Sequence, residues 1–423
     1  MIDCPFEADV ADLGGLGDGI VRHPDGPVVL AAGVVPGDRL RIEQLTKQRG
    51  VLRAGAFQVV AESPQRCAPA CAVFDECGGC GLQRWDLERQ REWKRAQLAR
   101  ALGLPTAAIA LAAVEPRGHR RRTRLHLRMR QDGLGAGFLR SQSDVLVADA
   151  ACAVLAPELE HLRARAGAVL GPYLDRGELR AVLGRQGVIA DLTGRPTGAA
   201  VPPAAELAGA LGVVGLQLQI GRHADRWGLG EVDLPEVDGP LTVATDAAGF
   251  CQASAHGNRA LREQVARALD GLAPPSYVQE FYAGSGNFTG MFLQRGASVR
   301  AVEADVDAVR RLRRSVAAAG LSDRVEVVCA QAERAALPTQ PSEIWLLDPG
   351  RQGAPEVCAA AARLQPAGLI YVSCALDKLV RDLGPLRKAG WVVQQAALID
   401  AFVWTVHLES VVTLLPPAGS AGL

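Results

Sequence analysis

The stretch Tyr277-Val278-Gln279-Glu280-Phe281-Tyr282-Ala283-Gly284-Ser285-Gly286-Asn287 decides the fold of the C-terminal half. A short strand-forming run, Tyr277–Tyr282, enters a glycine turn that opens onto a helix-forming stretch. That order begins a doubly wound parallel sheet. Outward from it the alternation continues: strand Val299–Glu303, the Arg-rich helix Asp305–Ala319, and strands Val325–Cys329, Glu343–Asp348 and Leu369–Cys374. The last two strands, Trp391–Ile399 and His407–Leu415, are close enough in sequence to pair antiparallel. In such a sheet the loops at the carboxyl ends of the strands gather on one edge, where ligands bind.

Gly284-Ser285-Gly286 lets a ligand approach the backbone closely, and Glu303 ends the next strand where a carboxylate binds two ribose hydroxyls. Nicotinamide enzymes share that pair. Here, however, the loop reads G-x-G-x-x-x-G and lacks the third glycine of the dinucleotide fingerprint. Asp348-Pro349, at the tip of the fourth strand, is typical of S-adenosylmethionine enzymes acting on bases, so methyl transfer is favoured over hydride transfer. Cys374 closes the apolar strand Leu-Ile-Tyr-Val-Ser-Cys at the same edge. A thiolate there can add to C6 of a pyrimidine and make C5 a nucleophile, and Glu409 in V-H-L-E-S-V-V is the candidate base for the C5 proton. The ordinary alternatives are a small core thiol and a surface strand carboxylate.

A second chemistry lies upstream. Cys71, Cys77 and Cys80 stand in C-A-V-F-D-E-C-G-G-C, and Cys152 follows after a gap of seventy-one residues. Four thiolates suit zinc or an iron–sulfur cluster. The spacing is not the paired C-x-x-C of a zinc ribbon, nor the C-x-x-x-C-x-x-C that leaves one iron open, so a four-cysteine [4Fe–4S] site reads best. Cys67 is a rival first ligand, and unrelated buried thiols are the plain alternative.

The chain has 423 residues, too many for one compact core, and its 48% hydrophobic content is that of an ordinary globular protein. Three segments are expected: a small β-barrel over 1–60, a central α+β segment over 61–244 with the cysteines, and the α/β domain over 245–423. The barrel follows from short strand-like stretches (Ile20–Val21, Val28–Ala32, Arg39–Leu45, Gly55–Val60) between turns such as Pro36-Gly37-Asp38, a spacing that suits an oligonucleotide-binding fold. A charged helix is expected over Asp86–Leu102, and the stretch 194–203 reads as a linker or exposed turn. With neither a signal-like start nor an apolar run of spanning length, a cytoplasmic, membrane-free protein with reduced cysteines is expected, monomeric by default. Net charge is zero, but Arg117–Arg130 holds seven arginines and no acid. From Thr123 it alternates, with Leu125, Leu127 and Met129 on one face and basic residues on the other. Arg121, Arg122 and Arg124 are therefore candidate phosphate contacts, against a solvated face neutralised by nearby acids.

Together these motifs resemble the TRAM-domain, [4Fe–4S]-containing RNA uracil-C5-methyltransferases, most closely those modifying 23S ribosomal RNA. The resemblance spans nearly the whole chain. G-D-G-I-V-R-H…V-P-G-D is similar to a TRAM domain, and C-x5-C-G-G-C…C to the family's cluster motif. Gly249-Phe250-Cys251-Gln252 resembles F-x-Q, and Glu280–Phe288 resembles D-L-F-C-G-x-G-N-F. Cys374 resembles the cysteine of S-C-N, and Glu409 the glutamate of H-x-E-S/T-V. The resemblance implies S-adenosylmethionine as cofactor, held by Gln252, Tyr282, Asn287, Glu303, Gln331 and Asp348. It further implies Cys374 as nucleophile, Glu409 as base, and RNA as substrate. The family's residues are replaced by Ala375, Leu376, Gly350 and Ser254 at four supporting positions. These changes keep open a catalytically weakened paralogue that assembles RNA, or an enzyme acting on tRNA.

Overall fold

A computed structural model describes residues 4–48, 50–335 and 343–417. The chain separates into two compact units, one of Met1–Lys94, Phe138–Ala153 and Phe402–Val406, the other of Arg95–Gly137, Val154–Ala401 and His407–Leu423. These units do not follow the segment boundaries expected at 60/61 and 244/245.

The first unit holds a closed barrel in the order Phe6–Leu13, Gly19–Arg22, Val28–Ala31, Val51–Ala61, Arg39–Gln48. Closure removes the exposed strand edges that a five-stranded open sheet would carry. Inward-facing Val10, Val21, Val29, Leu40 and Ile42 fill it. Asp38, in the Pro-Gly-Asp turn, is fully buried and accepts from the Val35 and Ser63 amides and from Arg66, whose Nη2 lies 2.7 Å away. Burial alone would push this carboxyl up. The hydrogen bonds from Arg66, Ser63 and Val35 outweigh it and hold Asp38 below the usual range.

The second unit is built on an eight-stranded sheet. Val325–Cys329, Ser298–Glu303, Tyr277–Phe281, Glu343–Leu347 and Gly368–Ser373 run parallel in that order. Glu409–Leu415 follows antiparallel, then Val392–Ile399, as expected of the last two strands. Ile109–Ala112, from far upstream, adds an unexpected parallel edge strand. Trp345, Leu346, Leu347, Ile370 and Tyr371 are completely buried, which explains strands that read as continuous apolar runs. Flanking helices start on side-chain caps. Ser254 accepts from the Gly257 amide ahead of helix Ala255–Asp270, and Asp305 from Ala308 ahead of helix Val306–Ala318.

A further sheet in this unit places Arg122–Arg130 between Leu174–Gly184 and Gly133–Leu139, with Gly187–Pro196, Gly215–Ile220 and His223–Gly228 beyond. Strand Gly187–Pro196 takes in the first residues of the expected linker, and the turn begins only at Thr197. No helix among the described residues is long and apolar enough to cross a membrane.

Candidate active site

The last pair of the antiparallel ladder between Gly368–Ser373 and Glu409–Leu415 is Ser373 with Ser410. One residue further Cys374 leaves the strand, at the sheet's edge where Glu409 begins the neighbouring one, and the Glu409 carboxyl acts on its thiol. Ser410 reinforces the junction by donating its hydroxyl to the Ser373 carbonyl at 3.1 Å. Cys374 is half-buried, so its thiol is not sealed away, whereas Glu409 is buried. Burial, then the carboxyls of Glu409 and Asp348, push the Cys374 thiol up to about 11, and Arg351 works in the opposite direction. Burial and Asp348 hold Glu409 well above the usual carboxylate range. A shifted carboxyl of this kind is suited to taking up a proton near neutral pH.

Asp348 extends the group toward the glycine loop. Burial and Glu303 push it up to about 7. Glu303 Oε2 accepts from the Gly284 amide at 2.9 Å and Oε1 from the Asp305 amide at 2.7 Å, which fixes the carboxylate beside the loop. Gly286 has φ +99°, and a Cβ there would stand 2.7 Å from Leu312, so the turn requires glycine. Glu280, at the motif's aspartate position, is completely buried with Thr289 donating to it at 2.6 Å. Burial, with Asp348 adding, pushes Glu280 up to about 8 against the lowering pull of Thr289 and Arg262. Three carboxyls thus gather about the loop.

Other expected cofactor residues are placed unevenly. Tyr282 takes a left-handed φ of +61° and donates its hydroxyl to Glu333 at 2.9 Å. Gln331 is exposed ahead of the short turn Ala332–Arg334. Asn287 is already engaged, exchanging two 2.9 Å side-chain hydrogen bonds with Asn258. Gln252 lies partly buried just before Ser254, its carbonyl held by Arg121 at 2.9 Å.

The basic strip departs from expectation. Arg121 is 3% exposed and its Nη1 lies 2.5 Å from Glu236, so it is no surface phosphate contact. Arg122 donates to the Cys251 carbonyl at 3.1 Å and lies 5.5 Å from the centre of the exposed Phe250 ring. Arg124 is exposed and pairs with Glu178 at 2.6 Å, the neutralised-face alternative. In the first of these positions burial was invisible to sequence because the alternating pattern begins only at Thr123.

Sequence reasoning also missed Asp382. It is fully buried and accepts from the Tyr371 hydroxyl and the Ala354 amide, each at 2.6 Å, so it pins the loop that follows Asp348. The supporting changes have local consequences. Ser254 still caps its helix, as Asn would, whereas Ala375 leaves helix Leu376–Lys388 without a side-chain cap.

In the first unit, Cys77 bridges to Arg140, and a Cβ on Gly78 would lie 2.8 Å from the Ser141 amide nitrogen. The Gly-Gly step thus lets the C-G-G-C turn press against 139–141. Burial pushes the Cys80 thiol up to about 11, with Cys152, Cys77 and Cys71 adding to it despite a Gln83 hydrogen bond. The other three thiols thus act on Cys80, and Cys71 acts on Cys77. Cys67 instead donates to the Gln83 carbonyl and responds to Asp86. Among the described residues no three His, Cys, Asp or Glu side chains are grouped tightly enough to hold one metal ion.

No family model matches the chain. It is 33% identical to the 23S rRNA (uracil(1939)-C(5))-methyltransferase RlmD of Chromohalobacter salexigens, over 94% of this chain and 86% of that one. It is 32% identical to the enzyme of the same name from Klebsiella pneumoniae, over 95% of this chain and 94% of that one. Its fold is similar to the crystal structure of Pyrococcus abyssi tRNA (uracil-54, C5)-methyltransferase in complex with S-adenosyl-L-homocysteine. That likeness has a TM-score of 0.77 at 19% identity, over 97% of this chain and 100% of that one. With relatives of this identity along nearly its full length, the chain belongs to the family of the 23S rRNA uracil-C5-methyltransferases.

Proposed function

We propose that this S-adenosylmethionine-dependent enzyme methylates C5 of a uridine in 23S rRNA through a covalent adduct on Cys374. The influence of the Glu409 carboxyl on the Cys374 thiol, just past the paired Ser373 and Ser410, is the observation that supports this reading most. The cofactor, when bound, supplies an electrophilic methyl group, and Gln252, Tyr282, Asn287, Glu303, Gln331 and Asp348 are the residues assigned to hold it. The Cys374 thiol gives up its proton to solvent, opposed by burial and by the two carboxyls and favoured by Arg351. Its Sγ then bonds to C6, and the C5–C6 π pair moves onto C5 and O4. Held by those residues, the cofactor would supply the methyl group that the nucleophilic C5 takes up. Glu409 takes the C5 proton, the C5–C6 double bond re-forms, and the C6–Sγ bond breaks to release the thiolate. Gln252 and Asp348 orient the uracil ring. Because uridine is buried in folded RNA, the target base is flipped into the site.

Cys71, Cys77, Cys80 and Cys152 are assigned as ligands of a structural [4Fe–4S] cluster, supported by the influence of the other three thiols on Cys80. Iron and sulfide should vanish in Cys71→Ser and persist in Cys67→Ser; the reverse would reassign the first ligand. The barrel is assigned an RNA-binding, TRAM-like role in a monomeric cytoplasmic enzyme.

The test is 5-methyluridine in 23S rRNA, measured by mass spectrometry in a strain lacking the gene. Wild type restores the modification and Cys374→Ala does not. Full restoration by the variant, or modification confined to tRNA, would overturn the assignment.

A further inference from the structure

Four backbone and side-chain contacts fasten the segment 250–254 to the start of strand Arg122–Arg130. The Arg121 amide donates to the Ala253 carbonyl at 2.8 Å, and its Nε donates to the Gln252 carbonyl at 2.9 Å. Arg122 holds the Cys251 carbonyl, and Arg120 bridges to Ser254. Behind Arg121 the polar chain continues inward. Glu236 Oε1 meets Arg121 Nη1 at 2.5 Å and accepts from Asn258 Nδ2 at 2.8 Å. Asn258 exchanges amide hydrogen bonds with Asn287, and Arg262 donates to the Asn287 carbonyl and, at 2.9 Å, to that of Asp238. Arg121, Glu236 and Asn258 are each at most 3% exposed. A buried ion pair is costly to desolvate and is weak as a stabilising device, so its retention calls for another reason.

We propose that Arg121, Glu236 and Asn258 are positioning residues that join the Gln252 segment to the glycine loop, so that uridine-side and cofactor-side groups are set by one network. None of the three touches the reacting atoms. Arg121 fixes the backbone from which Gln252 projects, and Asn258 fixes the amide of Asn287 at the other end. Glu236 is the joint, since one of its oxygens serves both neighbours. The inference rests on the methyltransferase reading given above. Displacing a positioned group by an ångström can cost about 100-fold in rate, so small substitutions suffice to expose the coupling.

The experiment is a double-mutant cycle of Arg121→Lys and Asn258→Ala on the full-length, cluster-loaded enzyme, with kcat and KM measured separately for RNA and for S-adenosylmethionine. Lysine keeps the charge opposite Glu236 but cannot reproduce the Nε hydrogen bond to Gln252. Arg121→Lys should lower kcat about 10- to 100-fold while the cofactor KM moves less than about threefold. Asn258→Ala should lower kcat similarly, and the double variant should lose no more than the worse single variant. Losses that multiply, or Arg121→Lys at wild-type kcat, would overturn the network. If Arg121→Lys does not fold, Glu236→Gln replaces it in the same cycle with the same two outcomes. Wild-type enzyme that makes no 5-methyluridine would sink the methyltransferase reading itself, which is a different result.

Discussion

Replacing Glu409 with Gln should make the Cys374 thiol easier to ionise. Burial is the largest cause of its elevation to about 11, followed by Glu409 and then Asp348. Glutamine keeps the volume and the burial but removes one of the two charges. The difference shows only where both carboxyls are ionised, so labelling is followed upward in pH from the Asp348 value of about 7 toward the thiol's own midpoint of about 11. With a midpoint near 11, the thiolate at pH 9 is ~1% of the total, and a drop of about one unit would bring it to ~10%. A less basic thiolate is also a weaker nucleophile, which costs about threefold at a Brønsted slope near 0.5. The net expectation is an alkylation rate about threefold faster at pH 9, with the midpoint moved down. The assay is iodoacetamide labelling without cofactor, read by mass spectrometry of the Cys374 peptide, with Cys374→Ser as background. An unchanged or higher midpoint in Glu409→Gln would refute the influence of this carboxyl on the thiol.

Other consequences can be checked independently. Glu280, pushed up to about 8, binds its proton more tightly in the folded than in the unfolded chain, so stability falls as pH rises from the ordinary carboxylate value through about 8. Glu280→Gln should therefore raise the melting temperature at pH 8 more than at pH 5; an equal change at both would contradict a buried, shifted carboxyl. Asp38 works in the opposite sense. Its lowered folded value gives stability that is present above the ordinary carboxylate value and lost as pH falls through the folded one. Asp38→Asn should destabilise the barrel by about 3–5 kcal/mol in denaturant melts at pH 7, because Arg66 is left without its buried partner. Ala375→Asn should stabilise by about 1 kcal/mol, since residue 375 already has the extended backbone (φ −133°, ψ 97°) of a capping position. A neutral or destabilising result would mean that the amide cannot reach the first turn of the helix.

The parallel core was legible because its strands are buried on both faces and separated by helices, which leaves apolar runs such as Leu369–Tyr371 in plain view. The first barrel strand, Phe6–Leu13, was not, because its outward positions are acidic and its inward ones include alanine. Ile109–Ala112 is four residues long and pairs with residues nearly three hundred positions away, so nothing local marks it. At the site, Cys374, Glu409, Glu303 and Asp348 could be read from their places at strand ends. Asp382, Asn258 and Glu236 could not, since their roles arise from tertiary hydrogen bonds and they sit in no motif. The arginine run misled for a related reason. Charge in sequence does not reveal which guanidinium turns inward to a buried acid, as Arg121 does.

The central claim is that the Cys374 sulfur bonds to the pyrimidine ring and that a neighbouring carboxyl frees it. The most direct measurement is denaturing gel electrophoresis of enzyme incubated with S-adenosylmethionine and target RNA carrying 5-fluorouridine, where no C5 proton is available for removal. Wild-type enzyme should accumulate a heat-stable protein–RNA band whose digest maps to Cys374, and Cys374→Ala should give none. A band of equal intensity from Cys374→Ala, or one mapping to another cysteine, would contradict the account.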